Sequence, residues 1–296
     1  MRIGLAGAGK MGSAMARRLM SSGQSVMVWN RTAARAQSLI DEGATWVARP
    51  AELSASCDIV LTMLTDDSAL DEVYLGAGGL LTVPVAGRLF IDMSTVAPAK
   101  PQQIGAKAQA AGARFLECPV GGSVGPAREG RLLGFVGGAA EDLTQARPVL
   151  ELLCRRIEHV GSLGAGATMK LAINLPLMVY WQTLSEALSL VQPLGLDPAR
   201  VVDILADTSG GPNMLKVRGP MIAQALAGTA SSAVSVDVAT MRKDLRAMLA
   251  QAGELNARLP LTELTLRTFE QAAAQGLDAA DCTQLPVWWL KGANKA

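Results

Sequence analysis

Residues 3–12, Ile-Gly-Leu-Ala-Gly-Ala-Gly-Lys-Met-Gly, constrain what this chain can fold into more than any other stretch. Ile3, Leu5 and Ala6 read as a short buried strand, and Ser13 to Ser21 read as a helix. Between them Gly7, Gly9 and Gly12 stand at the spacing G-x-G-x-x-G. Each glycine answers a separate need. Gly7 lets the chain turn tightly, Gly9 lets a pyrophosphate approach the backbone, and Gly12 lets helix and strand pack closely. The helix start offers unpaired N–H groups and a partial positive charge to phosphates. Three glycines carry little weight in a chain that has 30. The strand before them, the helix after them and a second apolar strand at Val26 to Trp29 make the spacing the signature of a dinucleotide-binding unit.

The residues after the second strand bear on which dinucleotide is bound. A site for an unphosphorylated ribose places Asp or Glu about 20 residues past the glycines. Here Asn30 takes that place, followed by Arg31, Thr32 and, a turn later, Arg35. Without a carboxylate a 2′-phosphate is not repelled, and a guanidinium binds phosphate through two parallel hydrogen bonds. The pattern favours NADP(H). The alternative is that Arg31 and Arg35 are plain solvated charges at a helix start.

Strands and helices then keep alternating. Helices are predicted over 33–43, 51–56, 69–74 and 98–111, and strands over 45–47, 58–64 and 89–92. Such alternation predicts a parallel, doubly wound α/β sheet, whose ligands lie beyond the carboxyl ends of its strands. That rule nominates the loops Leu64-Thr65-Asp66 and Met93-Ser94-Thr95, although helix capping by Ser or Thr accounts for either loop alone. A further strand from Phe115 runs into Pro119-Val120-Gly121-Gly122-Ser123, whose glycine pair can expose consecutive N–H groups to an anion. Strands over 132–137 and 157–160, around a helix over 141–153, close the sheet. His159 has no acidic or nucleophilic pattern near it and reads as a structural or surface residue.

A glycine-rich junction over 161–166 leads into a long helix to about Val191, with Pro176 as its expected kink. Met169, Ala172, Ile173, Tyr180, Leu184, Leu188 and Val191 recur at three- and four-residue steps and predict its buried stripe. Lys170 and Asn174, one turn apart, fall on a neighbouring face above Leu177 and Trp181. Spacing alone reads Lys170 as a snorkelling surface lysine. From Pro198 onward only helices are predicted, over 201–206, 220–227, 238–252, 261–275 and 282–290, with Gly210 to Met214 as a cleft loop or a plain connector. At 296 residues the chain is long for one core. It divides into 1–162, a dinucleotide-binding domain, and 163–296, an all-helical domain expected to supply a cleft wall and an oligomer contact.

Bulk properties exclude other classes of function. Lys and Arg number 27 against 26 Asp and Glu, which argues against broad nucleic-acid or anionic-membrane binding. No apolar run approaches the ~20 residues of a membrane span. Met1 leads straight into the first strand, so no signal peptide is expected. Cys57, Cys118, Cys154 and Cys282 form no C-x-x-C pair and, with a single histidine, no metal pattern. They read as reduced thiols of a cytoplasmic protein.

Five segments together resemble the β-hydroxyacid dehydrogenases, relatives of 3-hydroxyisobutyrate dehydrogenase, tartronate semialdehyde reductase and 6-phosphogluconate dehydrogenase. They are Gly-Leu-Ala-Gly-Ala-Gly-Lys-Met-Gly (4–12), Asp-Met-Ser-Thr-Val (92–96), Pro-Val-Gly-Gly-Ser-Val-Gly-Pro-Ala (119–127), Gly-Ala-Gly-Ala-Thr-Met-Lys-Leu-Ala-Ile-Asn (164–174) and Lys-Asp-Leu (243–245). The resemblance implies an N-terminal Rossmann sheet joined by a long interdomain helix to an all-α C-terminal domain. It places cofactor contacts on Gly7, Gly9, Lys10, Met11, Gly12, Asn30, Arg31, Thr32, Arg35, Leu64, Thr65, Thr95 and Lys243. Substrate contacts fall on Ser94, Gly121, Gly122 and Ser123, and catalysis on Lys170 with Asn174. One departure stands out. The family's substrate loop usually reads Pro-Val-Ser-Gly-Gly, whereas here Gly121 replaces the serine and a hydroxyl returns two residues later at Ser123.

The resemblance implies hydride transfer from NADPH to the carbonyl carbon of a small carboxylate-bearing aldehyde, giving a hydroxy acid. Lys170 would protonate the forming alkoxide and, when neutral, take the hydroxyl proton in reverse. A homodimer or homotetramer is expected. One rival is an imine reductase on the same architecture, which typically lacks a lysine at the position of Lys170. Another is a non-catalytic NADP-binding oligomeric module, which has no need of Lys170 and Asn174 together.

Overall fold

A computed structural model describes residues 2–230 and 233–293. The first unit runs β1 (Ile3–Ala6), α1 (Lys10–Ser21), β2 (Val26–Trp29), α2 (Gln37–Asp41), β3 (Thr45–Trp46), α3 (Pro50–Ser56), β4 (Ile59–Thr62), α4 (Asp67–Leu75), β5 (Leu89–Asp92), α5 (Ala99–Ala110) and β6 (Arg114–Glu117). It continues through β7 (Val120–Gly121), α6 (Val124–Glu129), β8 (Leu132–Gly137), α7 (Ala140–Leu153) and β9 (Cys154–Gly161) into the long helix α8 (Ala165–Val191).

β1, β4 and β5 are buried at every residue, as strands of a sheet covered on both faces must be. Period-two geometry sends alternate side chains to opposite faces. Ile59, Leu61, Leu89, Ile91 and Leu116 join Met15 and Leu19 of α1 and Val149 and Leu150 of α7 in one apolar layer. Val60, Phe90 and Phe115 join Tyr74 of α4 and Ile104 of α5 in the other. The strand order is β3-β2-β1-β4-β5-β6-β8-β7, with β9 beside β8. The six strands β1 to β6 are parallel.

β8 departs from the expected parallel pattern, running antiparallel to both β6 and β7. A parallel return needs a crossover of about a dozen residues or more, and only residues 122–131 separate β7 from β8. The chain therefore folds back. The 14-residue α7 is long enough for a crossover, and β9 is parallel to β8.

The described residues divide into two compact units, one ending at Leu171 and the other starting at Ala172, so the division falls inside α8. The second unit carries α9 (Pro198–Ala206), α10 (Asn213–Leu226), α11 (Val238–Glu254), α12 (Pro260–Ala272) and α13 (Gln284–Trp288). α10 starts seven residues before the helix expected at 220, with Pro220 inside it, so Asn213 and Met214 belong to its first turn rather than to a loop. α8 keeps Pro176 within an unbroken helix. No helix among the described residues is long and apolar enough to cross a membrane.

The buried face of α8 follows the expected stripe only in part. Leu184 and Leu188 of that stripe are buried, together with Ala167, Lys170, Leu171, Asn174, Met178, Trp181 and Ser185. Met169 is 39% exposed, Ala172 is exposed, and Ile173, Tyr180 and Val191 are half-buried. Apolar residues lie all round this helix, so hydrophobic spacing cannot tell which face turns inward. Lys170 and Asn174 are on the inward face, each 8% exposed.

Candidate active site

The register sets the carboxyl ends of the parallel strands level. Ala6 lies opposite Trp29 and Thr62, Thr62 opposite Asp92, and Asp92 opposite Glu117. The loops that leave these five residues share one edge of the sheet, where open α/β sheets bind ligands. β1 sits between β2 and β4, at the point where the strand order reverses.

Gly7 holds φ +109°, and a Cβ there would overlap Met63 O. A Cβ on Gly12 would overlap Gly7 O, so this glycine is what allows α1 to start against the turn. Gly9 faces open space. It is the N-cap of α1, which has no side-chain cap and no acid in its first turn. α4, α9 and α11 are capped instead by Asp66, Asp197 and Asp237. The start of α1 thus presents backbone donors and a positive helix end at an open glycine, which fits a dinucleotide pyrophosphate. Lys10 beside it is exposed and Met11 half-buried.

Asn30 has a task that the sequence did not reveal. Its Oδ1 accepts from Ala8 N–H at 3.0 Å and its Nδ2 donates to Thr32 O at 2.8 Å. The amide ties the end of β2 to the glycine turn. Arg31, Thr32 and Arg35 are exposed at this end. Arg31 lies 3.7 Å from Glu72 across solvent, a loose pair that leaves the guanidinium 77% exposed.

The two central loops are held by one buried network. Thr62 Oγ1 and Ser94 Oγ each donate to Asp92 Oδ1 at 2.7 Å, and Ser94 Oγ accepts from Leu64 N–H at 2.9 Å. Tyr74 OH lies 3.3 Å from Thr62 Oγ1. Burial pushes the Asp92 carboxyl up to about 6, against the opposing pull of the Ser94 and Thr62 hydrogen bonds. Ser94, expected to contact substrate, is 1% exposed with its proton on Asp92 and a lone pair on Leu64 N–H. These two bonds fix the loop. Leu64 and Thr95 are half-buried and Thr65 is exposed on the same edge.

Gly121 pairs with Leu133 on β8, and Gly122 follows at φ +126°, where a Cβ would come within 2.8 Å of Leu132 Cδ2. Gly122 and Ser123 are exposed at the start of α6. Glu117, unnoticed in the sequence, is 1% exposed. Its carboxylate accepts from Gly164 N–H (2.6 Å), Gly166 N–H (2.9 Å) and Ala167 N–H (3.0 Å), at the first turn of α8. Burial raises this carboxyl to about 7, and those three hydrogen bonds oppose the rise.

In the second unit Asn174 Nδ2 donates to Asp244 Oδ2 at 3.2 Å, and Lys243 Nζ lies 2.9 Å from Asp244 Oδ1. The buried Asp244, also missed in the sequence, thus links Asn174 to Lys243. His159 is exposed with Nε2 2.8 Å from Gly138 O, a satisfied surface position. A groove of about 610 Å³ between α9 and α10 is lined by none of the residues expected at the site.

Residues 2–161 match the family described as the NAD binding domain of 6-phosphogluconate dehydrogenase. Residues 164–288 match the family described as NAD-binding of NADP-dependent 3-hydroxyisobutyrate dehydrogenase. A 3-hydroxyisobutyrate dehydrogenase of Pseudomonas aeruginosa is 34% identical over 96% of this chain and 97% of its own length. The Arabidopsis thaliana chloroplastic glyoxylate/succinic semialdehyde reductase 2 is 31% identical over 94% of this chain and 76% of its own. The solved structure of Psf3 with NADP+ and 2-OPP superposes with a TM-score of 0.86 at 28% identity, covering 97% of this chain and 99% of that one. With a dinucleotide-type glycine turn at one end of the sheet and both halves matched in order, the chain belongs to the β-hydroxyacid dehydrogenases, a family of nicotinamide-dinucleotide-dependent oxidoreductases.

Proposed function

We propose that the protein is an NADP(H)-dependent reductase of a small carboxylate-bearing aldehyde or keto acid, yielding the corresponding hydroxy acid. The observation that carries this reading is the burial of Lys170 together with Asn174, one turn apart on the inward face of α8. A buried ammonium is costly and rarely kept without a partner or a task. When bound, the cofactor supplies hydride to the carbonyl carbon.

The chain's own residues do the rest. The amides around Gly7, Gly9, Lys10, Met11 and Gly12 bind pyrophosphate, and Arg31, Thr32 and Arg35 bind the 2′-phosphate that Asn30 leaves unopposed. Leu64, Thr65, Thr95 and Lys243 line the remainder of the cofactor. Lys170 gives its proton to the developing alkoxide oxygen, and Asn174, oriented by Asp244, donates a hydrogen bond to the same atom. Backbone N–H groups of Gly121 to Ser123 hold the substrate carboxylate, without the hydroxyl that other family members carry at the position of Gly121.

The test is Lys170→Ala assayed with NADPH against glyoxylate, succinic, methylmalonic and tartronate semialdehydes and sulfolactaldehyde. Turnover of the substrate the wild type prefers should fall by at least ~100-fold, the low end for general acid–base work. Near-normal turnover in this variant removes Lys170 from the mechanism.

A further inference from the structure

We infer that Glu117 is a positioning residue for the Lys170 chemistry, its carboxylate clamping the first turn of α8 and setting the charge that the Lys170 ammonium meets. This rests on the function proposed above for Lys170. The clamp joins positions far apart in sequence. α4, α9 and α11 are capped by an Asp at their own N-cap, whereas Glu117 reaches Gly164, Gly166 and Ala167 from 47 to 50 residues away. It therefore anchors the helix to the end of β6 and not merely to itself.

Two glycines make room for this side chain and a third turns toward it. A Cβ on Gly137 of β8 would overlap Glu117 Oε1, and a Cβ on Gly166 would overlap Phe135 O and come within 3.1 Å of Glu117 Cδ. Gly164 holds φ +97°, which turns its N–H onto the carboxylate. An apolar side chain at this position would leave the Gly164, Gly166 and Ala167 N–H groups buried without an acceptor, which ties the carboxylate to the start of α8. The ionisable groups beside it are Asp92 on the neighbouring strand and Cys118, next in the chain.

Lys170 is four residues past Gly166, about 6 Å along the helix axis. The positive end of a helix disfavours an ammonium there, and a carboxylate at that end offsets it. Glu117→Gln removes the charge and, because an amide NH2 cannot accept, also the bond from Ala167 N–H, while its oxygen can keep those from Gly164 and Gly166. Loss of the charge makes the protonated Lys170 harder to form. Removing a methylene but keeping the charge disturbs the distance and leaves the charge in place.

Full-length Glu117→Gln, Glu117→Asp and Lys170→Ala are assayed with the best substrate pair of the wild type, in the oxidative direction, from about pH 6 to 10. In Glu117→Gln the rising limb of kcat should move to lower pH, the direction expected when a negative charge near an ammonium is removed. In that variant the KM for the cofactor should change by less than about twofold and kcat in the reductive direction should fall about tenfold. Glu117→Asp should lose kcat with its limb in place. An unmoved limb in Glu117→Gln, or equal behaviour of Gln and Asp, overturns the inference. If Glu117→Gln does not fold, Glu117→Asp decides: a limb in place with lowered kcat supports the role, and a shifted limb refutes it. Near-normal turnover of Lys170→Ala removes the Lys170 reading and this inference with it. An inactive Lys170→Ala beside an unmoved Glu117→Gln limb removes only the positioning role.

Discussion

Replacing Asp92 with Asn asks how much stability the buried charge at the end of β5 withholds from the fold. The three hydrogen bonds to this side chain all fall on Oδ1, from Thr62 Oγ1, Ser94 Oγ and Ser94 N–H. The Asn amide oxygen can keep the two 2.7 Å hydroxyl bonds, with its NH2 in the place of Oδ2. Burial lifts the carboxyl from 3.8 to about 6. A shift of about 2 units at ~1.4 kcal/mol per unit amounts to about 3 kcal/mol by which ionisation at this site opposes folding. A carboxyl whose pKa is raised by folding contributes its stability fully below the unfolded value, near 3.8, and loses it as pH rises through about 6. Glu117, raised to about 7 mainly by burial, slopes the same way and remains in the variant. The quantity to measure is therefore the difference between the two proteins. Amide exchange of β4 and β5 reports on the stability of the sheet that holds Asp92. At about pH 8 the Asn variant should be more protected by about 1–3 kcal/mol, and the gap should narrow to about half near pH 5 and close only below about pH 4. A variant less protected by the same amount at both pH values refutes the reasoning, since the carboxylate would then be worth its burial.

Two further predictions bear on the cofactor end. Arg31→Asp should lower the ratio of kcat/KM for NADPH over NADH by at least ~10-fold, because a carboxylate replaces the guanidinium that faces the 2′-phosphate in the proposed site; an unchanged ratio defeats the NADP(H) assignment. In Gly12→Ala the new Cβ would overlap Gly7 O, which is backbone and cannot swing aside. The variant should lose ~2 kcal/mol or more in denaturant unfolding and bind cofactor too weakly for calorimetry, and wild-type values in both would show that the turn can open.

Local rules made much of the first unit legible. The glycine turn can be read because Gly7, Gly9 and Gly12 answer to neighbours a few residues away, and the alternating strands because apolar runs must be covered on both faces. The order of motifs was enough to suggest the family and to point to Lys170 and Asn174. Other features depend on what lies opposite in space. The loop-fixing bonds of Ser94 cannot be read from spacing, since they form only when β4 and β5 pair and set Asp92 and Leu64 against its hydroxyl. Asn30 looks like a cofactor residue alone until β2 aligns with β1 and its amide meets Ala8. The expected stripe of α8 holds at Leu184 and Leu188 but not in the first turns, because apolar residues surround the whole helix. Glu117 could not be found from spacing, since its partners are about fifty residues away and become neighbours only when β8 and β9 have closed the sheet. Sequence by itself determined most of the secondary elements, the nucleotide turn and the residue types available for chemistry, because these obey interactions within a few residues. Tertiary structure alone decided which of those side chains are buried, capped or left open to a ligand, because strand register, not chain proximity, chooses their partners.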